Sequence, residues 1–325
     1  MLRFGIVGTG NIAHRFARAI SFVPDAKLVA VASRTKEKAE FFQKEFGLCY
    51  SFDSYEAMAQ SDVIDVAYIA VPHQFHKPCT LLMLKSKKHV LCEKPMAVNE
   101  KEALEMFACA KENQRFLMEA MWARFVPGTI KLLELVQSGK LGTLQEIGGD
   151  FCYALSENQL SHHVLKVENG GGSLLDVGIY GLNFSKWFFG ETVKTMDAKA
   201  TLWKGIDSYT EVSLTYKEGG ISHLSSAVFL DKPNFGYLKG TKGKASIPHF
   251  YAPETVNIDY VDGTHETITA PYKANGFEYQ IQHVCDCIQQ GLLESPVITK
   301  EHTLFILKQM DAIRKQIHVH YPQDD

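Results

Sequence analysis

The chain has no Cys-x-x-Cys pair, and its seven cysteines are scattered through 325 residues. Cys285 and Cys287 stand two apart in a predicted helix and so face different ways. An odd count without metal spacing argues against a disulfide framework and predicts reduced thiols in a cytoplasm. The thirteen histidines are equally dispersed; His162-His163 is the sole adjacent pair, no third ligand sits at metal spacing, and no metal is expected. No apolar run reaches the ~18 residues of a membrane-spanning helix. The N-terminus enters a predicted strand at once, leaving no room for a signal peptide. Basic clusters and charge runs are missing, and the net charge is −3, so neither nucleic acid nor an anionic membrane is an expected partner. There is no internal repeat and no low-complexity tract. What remains is 46% hydrophobic and 22% charged, an ordinary globular composition long enough for two domains.

The most informative segment comes first. Leu2-Arg3-Phe4-Gly5-Ile6-Val7 reads as a buried strand and runs into Gly8-Thr9-Gly10-Asn11-Ile12-Ala13, with a helix predicted from Ile12 to about Ser21. In such a unit Gly8 permits a tight turn, Gly10 admits a pyrophosphate to the backbone, and Ala13 keeps the helix close to the strand. The helix N-terminus adds unpaired N–H groups and partial positive charge. A second strand over Lys27–Ala32 completes strand–helix–strand. Its tip, Ser33-Arg34-Thr35-Lys36, lacks the carboxylate that accepts from the ribose diol of NAD, and Ser33 lies near the spacing of that reader. A hydroxyl followed by a guanidinium suits a 2′-phosphate. NADP is therefore preferred and NAD is the alternative; on the plainer reading Arg34 and Lys36 are solvated charges behind Thr35 as an N-cap.

A helix is predicted over Lys36–Phe46, with Phe41, Phe42 and Phe46 available to the core and Gly47 as its stop. The apolar run Val63–Ala70 fits a central parallel strand that delivers Ala70, Pro72, His73 and His76 to the ligand end of the sheet. Further predicted elements are a helix from about Gln74 to Ser86, strand His89–Cys92 leading to Glu93-Lys94-Pro95, a capping box of Asn99 with Glu102, and strand Phe116–Glu119. Residues 1–121 form the expected dinucleotide-binding domain. After Pro127 alternating runs dominate, joined by Glu218-Gly219-Gly220 and Lys242-Gly243-Lys244. They predict a largely antiparallel sheet covered by helices on one face, with a helix over Ser173–Phe188 and two more near Phe277–Gln290 and Lys300–Ile317. This second domain, residues 122–325, is expected to abut the first and leave a cleft. The fold class is thus α/β, a parallel Rossmann sheet followed by an α+β domain.

Glu93-Lys94-Pro95 with the N-terminal glycine turn resembles the glucose–fructose oxidoreductase and inositol dehydrogenase family over essentially the whole chain. Met118–Phe125 and Gly170–Tyr180 look like two further family segments, and all four together are similar to its dihydrodiol dehydrogenase branch, whose members use NADP on diols and D-xylose. The resemblance implies an NAD(P)-dependent oxidoreductase acting on a secondary alcohol of a sugar, polyol or trans-diol. Lys94 takes the place of the family's lysine near the reacting hydroxyl, Tyr180 that of the acid/base, and Asp176 that of a partner for a substrate hydroxyl. Glu93, His73 and His76 sit where relatives meet cofactor, along with Gly8, Thr9, Gly10, Asn11, Ile12, Ser33, Arg34, Ala70 and Pro72.

The physical case is separate. Asp176 and Tyr180 are four apart in a predicted helix and share a face. A free tyrosine titrates near 10, too high for a neutral-pH base, and an ammonium such as that of Lys94 would pull it down. Without the resemblance, Tyr180 reads more readily as a core tyrosine, and Lys94, at a strand end, equally as a surface lysine or a functional one. Trp122 and Arg124 suit a sugar ring and its hydroxyls, or equally a domain joint. Tyr180 stands where many relatives carry histidine. Val164, amid Ser161-His162-His163, stands where many sugar-active relatives carry arginine. Two alternatives stay open: a glycosidase of the same family that uses NAD transiently, and a non-catalytic cofactor sensor. The expected assembly is a homodimer or homotetramer formed through the C-terminal sheet, on the premise that its uncovered face is apolar.

Overall fold

The apolar run after Met1 forms β1 (Leu2–Val7), whose last four residues are buried. The computed structural model describes residues 1–159 and 162–325; Ser161, beside the histidine pair, lies outside the described residues. β1 sits inside a sheet with β2 (Ala26–Ala32), β3 (Tyr50–Phe52), β4 (Val66–Ile69), β5 (His89–Glu93) and β6 (Leu117–Ala120). The order is β3-β2-β1-β4-β5-β6 and every pair is parallel. The order reverses between β1 and β4, the switch point outside which doubly wound sheets bind ligands.

Helices α1 (Asn11–Ala19), α2 (Lys36–Phe46), α3 (Tyr55–Gln60), α4 (His76–Lys85) and α5 (Glu100–Asn113) connect these strands. α2 ends as expected on Gly47 at φ +64. Its aromatics divide, however: Phe42 is 1% exposed and Phe41 71%, because neighbours in a helix point about 100° apart and both cannot face the sheet. Asn99 caps α5 by accepting from Glu102 N–H at 2.9 Å, while the Glu102 carboxylate accepts from Val98 N–H at 3.4 Å.

By contacts the chain divides into two units, Met1–Trp122 with Lys273–Leu304, and Ala123–Tyr272 with Phe305–Asp325. The opening segment of the first unit ends at Trp122, where the expected first domain ends at 121, and residues 273–304 belong with that unit although the expected second domain runs over 122–325. Hydrophobic patterning shows that a helix there is amphipathic, not which core it serves.

The second unit opens with α6 (Pro127–Gln137) and β7 (Leu144–Cys152), then reaches α7 (Ile179–Phe189). β8 (Val193–Trp203), β9 (Ile206–Tyr216), β10 (Ile221–Ala227), β11 (Phe235–Gly240), β12 (Gly243–Pro248), β13 (Thr255–Tyr260) and β14 (His265–Thr269) complete its sheet. The order is β14-β13-β12-β11-β7-β10-β9-β8. Pairing is antiparallel except between β7 and β10. α7 lies against β7 and β10, and α6 against β13 and β14. The other face is not apolar, contrary to the premise of the assembly argument: Glu211, Lys239 and Lys244 lie on it, and Tyr237 donates to Glu146 at 2.5 Å. α8 (Phe277–Gln289) then returns to the first unit, and α9 (Lys300–Gln316) follows. No helix among the described residues is long and apolar enough to cross a membrane.

Candidate active site

In the first unit the turn after β1 has the features an anionic ligand needs. Gly8 adopts φ +107, and a Cβ there would lie 2.3 Å from the Ala70 carbonyl oxygen. Only glycine fits. A Cβ on Gly10 would meet no protein atom within 4 Å, so the space beside that backbone is open. Gly10 is also the N-cap of α1 and offers no side-chain cap, which leaves the N–H groups of the Asn11-Ile12-Ala13 turn without a side-chain acceptor. These residues fit the pyrophosphate of a dinucleotide. At the tip of β2, Ser33 is 6% exposed and its hydroxyl faces Thr35 N–H at 3.5 Å. Arg34 is exposed, its guanidinium 5.4 Å from the Phe75 ring centre. The tip of β2 is thus a cation resting on an aromatic face, free of carboxylate from Ser33 to Lys36.

His73 and His76 follow β4, both buried, with ring centres 5.6 Å apart. The His76 ring nitrogens lie 2.8 Å from the carbonyl oxygens of Pro95 and of Val71. His76 therefore braces two loops, a role that the sequence did not suggest. β5 delivers Glu93 and Lys94. Glu93 is 4% exposed, accepts from the Tyr68 hydroxyl, and accepts from Lys94 N–H at 3.2 Å. Burial pushes the Glu93 carboxyl up, while the Tyr68 bond and the Lys94 charge pull it down. Lys94 is half-buried. Trp122 is 3% exposed, its ring centre 5.0 Å from that of Phe277 and 5.0 Å from the Arg15 guanidinium. Its faces are occupied by packing, which favours the plainer of the two sequence readings.

In the second unit the helix over Ser173–Phe188 is not one α-helix. Leu174–Gly178 is a π-helical turn, with Ile179 N–H bonded back to Leu174, and α7 follows. The α spacing rule consequently does not apply at Asp176; such turns recur at functional sites. Asp176 accepts from the Tyr153 hydroxyl at 2.5 Å. Tyr180, 5% exposed, has its ring centre 5.2 Å from Phe151 and 5.8 Å from Tyr251, which are themselves stacked at 3.8 Å. Phe151, Tyr153 and Tyr251 were missed in the sequence. The first two share a face because they are two apart along an extended chain, a signal that was present. Arg124 is half-buried, and burial lowers its pKa from the usual value. Val164 is 1% exposed in an apolar cluster with Leu165, Ile206 and Val228. The His162 and His163 ring centres are 4.3 Å apart. Among the described residues no cluster of His, Cys, Asp and Glu could hold a metal ion.

A family model described as oxidoreductase family, NAD-binding Rossmann fold (GFO/IDH/MocA) matches residues 2–121, and one described as GFO/IDH/MocA C-terminal domain matches residues 129–246. The trans-1,2-dihydrobenzene-1,2-diol dehydrogenase of Mus musculus is 35% identical, with 99% of each chain covered. Its namesake in Danio rerio is 32% identical at the same coverage. Among solved structures, the aldose-aldose oxidoreductase from Caulobacter crescentus aligns with a TM-score of 0.87 at 25% identity, over 98% of this chain and 97% of that one. A 3-ketoreductase from Actinomadura kijaniata, solved with NADP and TDP-benzene, aligns with a TM-score of 0.89 at 24% identity, over 97% and 98%. That last likeness bears on fold alone.

Proposed function

Since this chain belongs to the GFO/IDH/MocA oxidoreductases and is an NAD(P)-dependent dehydrogenase acting on CH–OH groups, we propose that it oxidises one hydroxyl of a vicinal diol or polyol with NADP. The observation that carries this reading is Asp176, held by Tyr153 in a π-helical turn that leads directly into Tyr180. Asp176 accepts a hydrogen bond from a substrate hydroxyl, and Tyr180 exchanges the proton of the hydroxyl that reacts. Lys94 lends its positive charge to the phenolate form of Tyr180 and to the carbonyl oxygen that appears as the proton leaves. NAD(P), held at the Gly8–Gly10 turn and the β2 tip, would supply the hydride acceptor or donor. Arg124 takes part in holding substrate oxygens, whereas Trp122 supports the site by packing. The stacked Phe151 and Tyr251 rings beside Tyr180 favour a substrate with one flat apolar face.

NADP is preferred over NAD on the strength of Arg34 and of the missing carboxylate at the β2 tip. Seven free thiols, six of them buried, support a cytoplasmic location. Because Glu211, Lys239 and Lys244 lie on the uncovered sheet face, a two-fold assembly through it would be a polar pairing and not the apolar contact expected from the sequence. The test is a screen of the purified protein with both cofactors against sugars, polyols and trans-diols, following reduced-nicotinamide absorbance. NADP-dependent oxidation strongest on diols is expected; cofactor binding without turnover on any of them would contradict the proposal.

A further inference from the structure

The turn that carries Lys94 is held by a group to which the reaction above gives no part. β6 runs beside β5 with Glu119 opposite Cys92. The Glu119 side chain is 1% exposed. One carboxylate oxygen accepts from Met96 N–H at 2.9 Å, two residues after Lys94, and the other accepts from the Thr303 hydroxyl of α9 at 3.0 Å. The far side of the turn is fixed by His76 at Pro95 O, and Cys92 Sγ donates to Met96 O at 3.6 Å. An apolar residue in place of Glu119 would leave the buried Met96 N–H without this acceptor.

We propose that Glu119 is a positioning residue for the reaction: its carboxylate fixes the Lys94-Pro95-Met96 turn through Met96 N–H and thereby sets where the Lys94 ammonium is presented. The proposal rests on the oxidoreductase reading in which Lys94 acts. Burial pushes the Glu119 carboxyl up to about 7, its bonds to Met96 and Thr303 oppose that rise, Glu93 adds to it, and Lys94 opposes it. Those are the charged groups that face it from β5 and the turn, with the Thr303 hydroxyl from α9 and His76 beyond Pro95. A bond to a carboxylate is roughly twice as strong as one to a neutral acceptor, so protonation loosens the hold on Met96. Reaction rates fall steeply when a catalytic group drifts. The expected signature is a loss of kcat as pH falls through the neutral range, in addition to any limb that belongs to Tyr180.

The experiment measures kcat and KM across the neutral range for the full-length parent, Glu119→Gln and Thr303→Val, each with and without Lys94→Ala. Glutamine accepts a hydrogen bond at every pH but carries no charge. It should lower kcat by about 10- to 100-fold, leave the cofactor KM nearly unchanged, and remove the Glu119 limb. Thr303→Val deletes a bond to the charged form and should move that limb to higher pH. In the Lys94→Ala background, Glu119→Gln should change kcat by about twofold at most, because the two act through one turn. A limb that persists unmoved in Glu119→Gln, as one belonging to His76 would, overturns the proposal, and so does an undiminished effect without Lys94. Should Glu119→Gln not fold, an unshifted limb in Thr303→Val overturns it equally. Near-parent turnover by Lys94→Ala alone would instead overturn the function on which the proposal rests.

Discussion

Tyr153, just past the end of β7, donates its hydroxyl hydrogen to Asp176 Oδ2 at 2.5 Å. Burial and the Asp176 charge both push the Tyr153 phenol above its ordinary value, so the phenol stays a donor and the carboxylate stays the acceptor. The bond ties the chain leaving β7 to a π-helical turn, fixing the orientation of the group assigned to the substrate hydroxyl. Tyr153→Phe should raise the KM for a diol about tenfold while kcat changes less, the pattern of a lost binding interaction. Steady-state kinetics on the best substrate check this; an unchanged KM would mean that Asp176 is oriented by other contacts.

Arg34 lies over Phe75 at the tip of β2. Arg34→Ala should weaken NADP by about 1.5–3 kcal/mol, the range for a hydrogen bond to a charged group, and weaken NAD much less. Isothermal titration with both cofactors reads the difference. Tighter NAD than NADP in the parent protein would contradict the assignment.

How far the sequence showed all this depends on the range of each interaction. The strand–glycine turn–helix unit was legible because its parts are consecutive in sequence and Gly8 takes a positive φ that only glycine adopts cheaply; the close approach of Ala70 to Gly8 was not, since Ala70 follows a strand distant in sequence. Lys94 and Tyr180 were singled out through the resemblance, and their proposed roles rest on it. The Tyr153–Asp176 bond was not, since it joins residues 23 apart in sequence, and nothing in either segment names the other. The π turn at Leu174–Gly178 escaped because its apolar periodicity reads as a helix of any kind. The return of residues 273–304 to the first unit is a tertiary choice, made by contacts such as Leu117 N–H to Leu293 O at 3.1 Å and Asn275 Nδ2 to Arg15 O at 2.9 Å.

His89 gives the stability a pH dependence. Burial lowers its imidazole to about 4, with the Arg115 charge acting in the same direction, and the neutral ring accepts from Phe116 N–H at 2.9 Å. The unfolded value is about 6.5. The unfolded chain therefore binds the proton more readily between these values, so the stabilisation is complete above about 6.5 and is lost as pH falls toward 4. Urea midpoints should drop more steeply over that interval in the parent than in His89→Gln. Equal slopes for the two proteins would remove His89 from the account.

The uncovered face of the second sheet carries Glu211, His223, Lys239 and Lys244 among aromatic residues such as Tyr237. A two-fold pairing through it would be polar and salt-sensitive, not an apolar seal. Light scattering should give a dimer or tetramer at micromolar concentration, with dissociation favoured by high salt. A monomer mass at every salt concentration would rule the pairing out.

The central claim is that Tyr180 carries the proton, with Lys94 as its electrostatic partner. The direct measurement is kcat of Tyr180→Phe on the best diol, with cofactor affinity measured alongside. General acid–base catalysis contributes about 100- to 10,000-fold, so kcat should fall by that order while NADP binds as in the parent. Lys94→Met should be comparably severe, and the double variant should lose far less than the product of the two. If Tyr180→Phe turns over near the parent rate, Tyr180 is a core tyrosine packed on Phe151 and Tyr251, and the proton carrier must be sought among His162, His163 and Asp176.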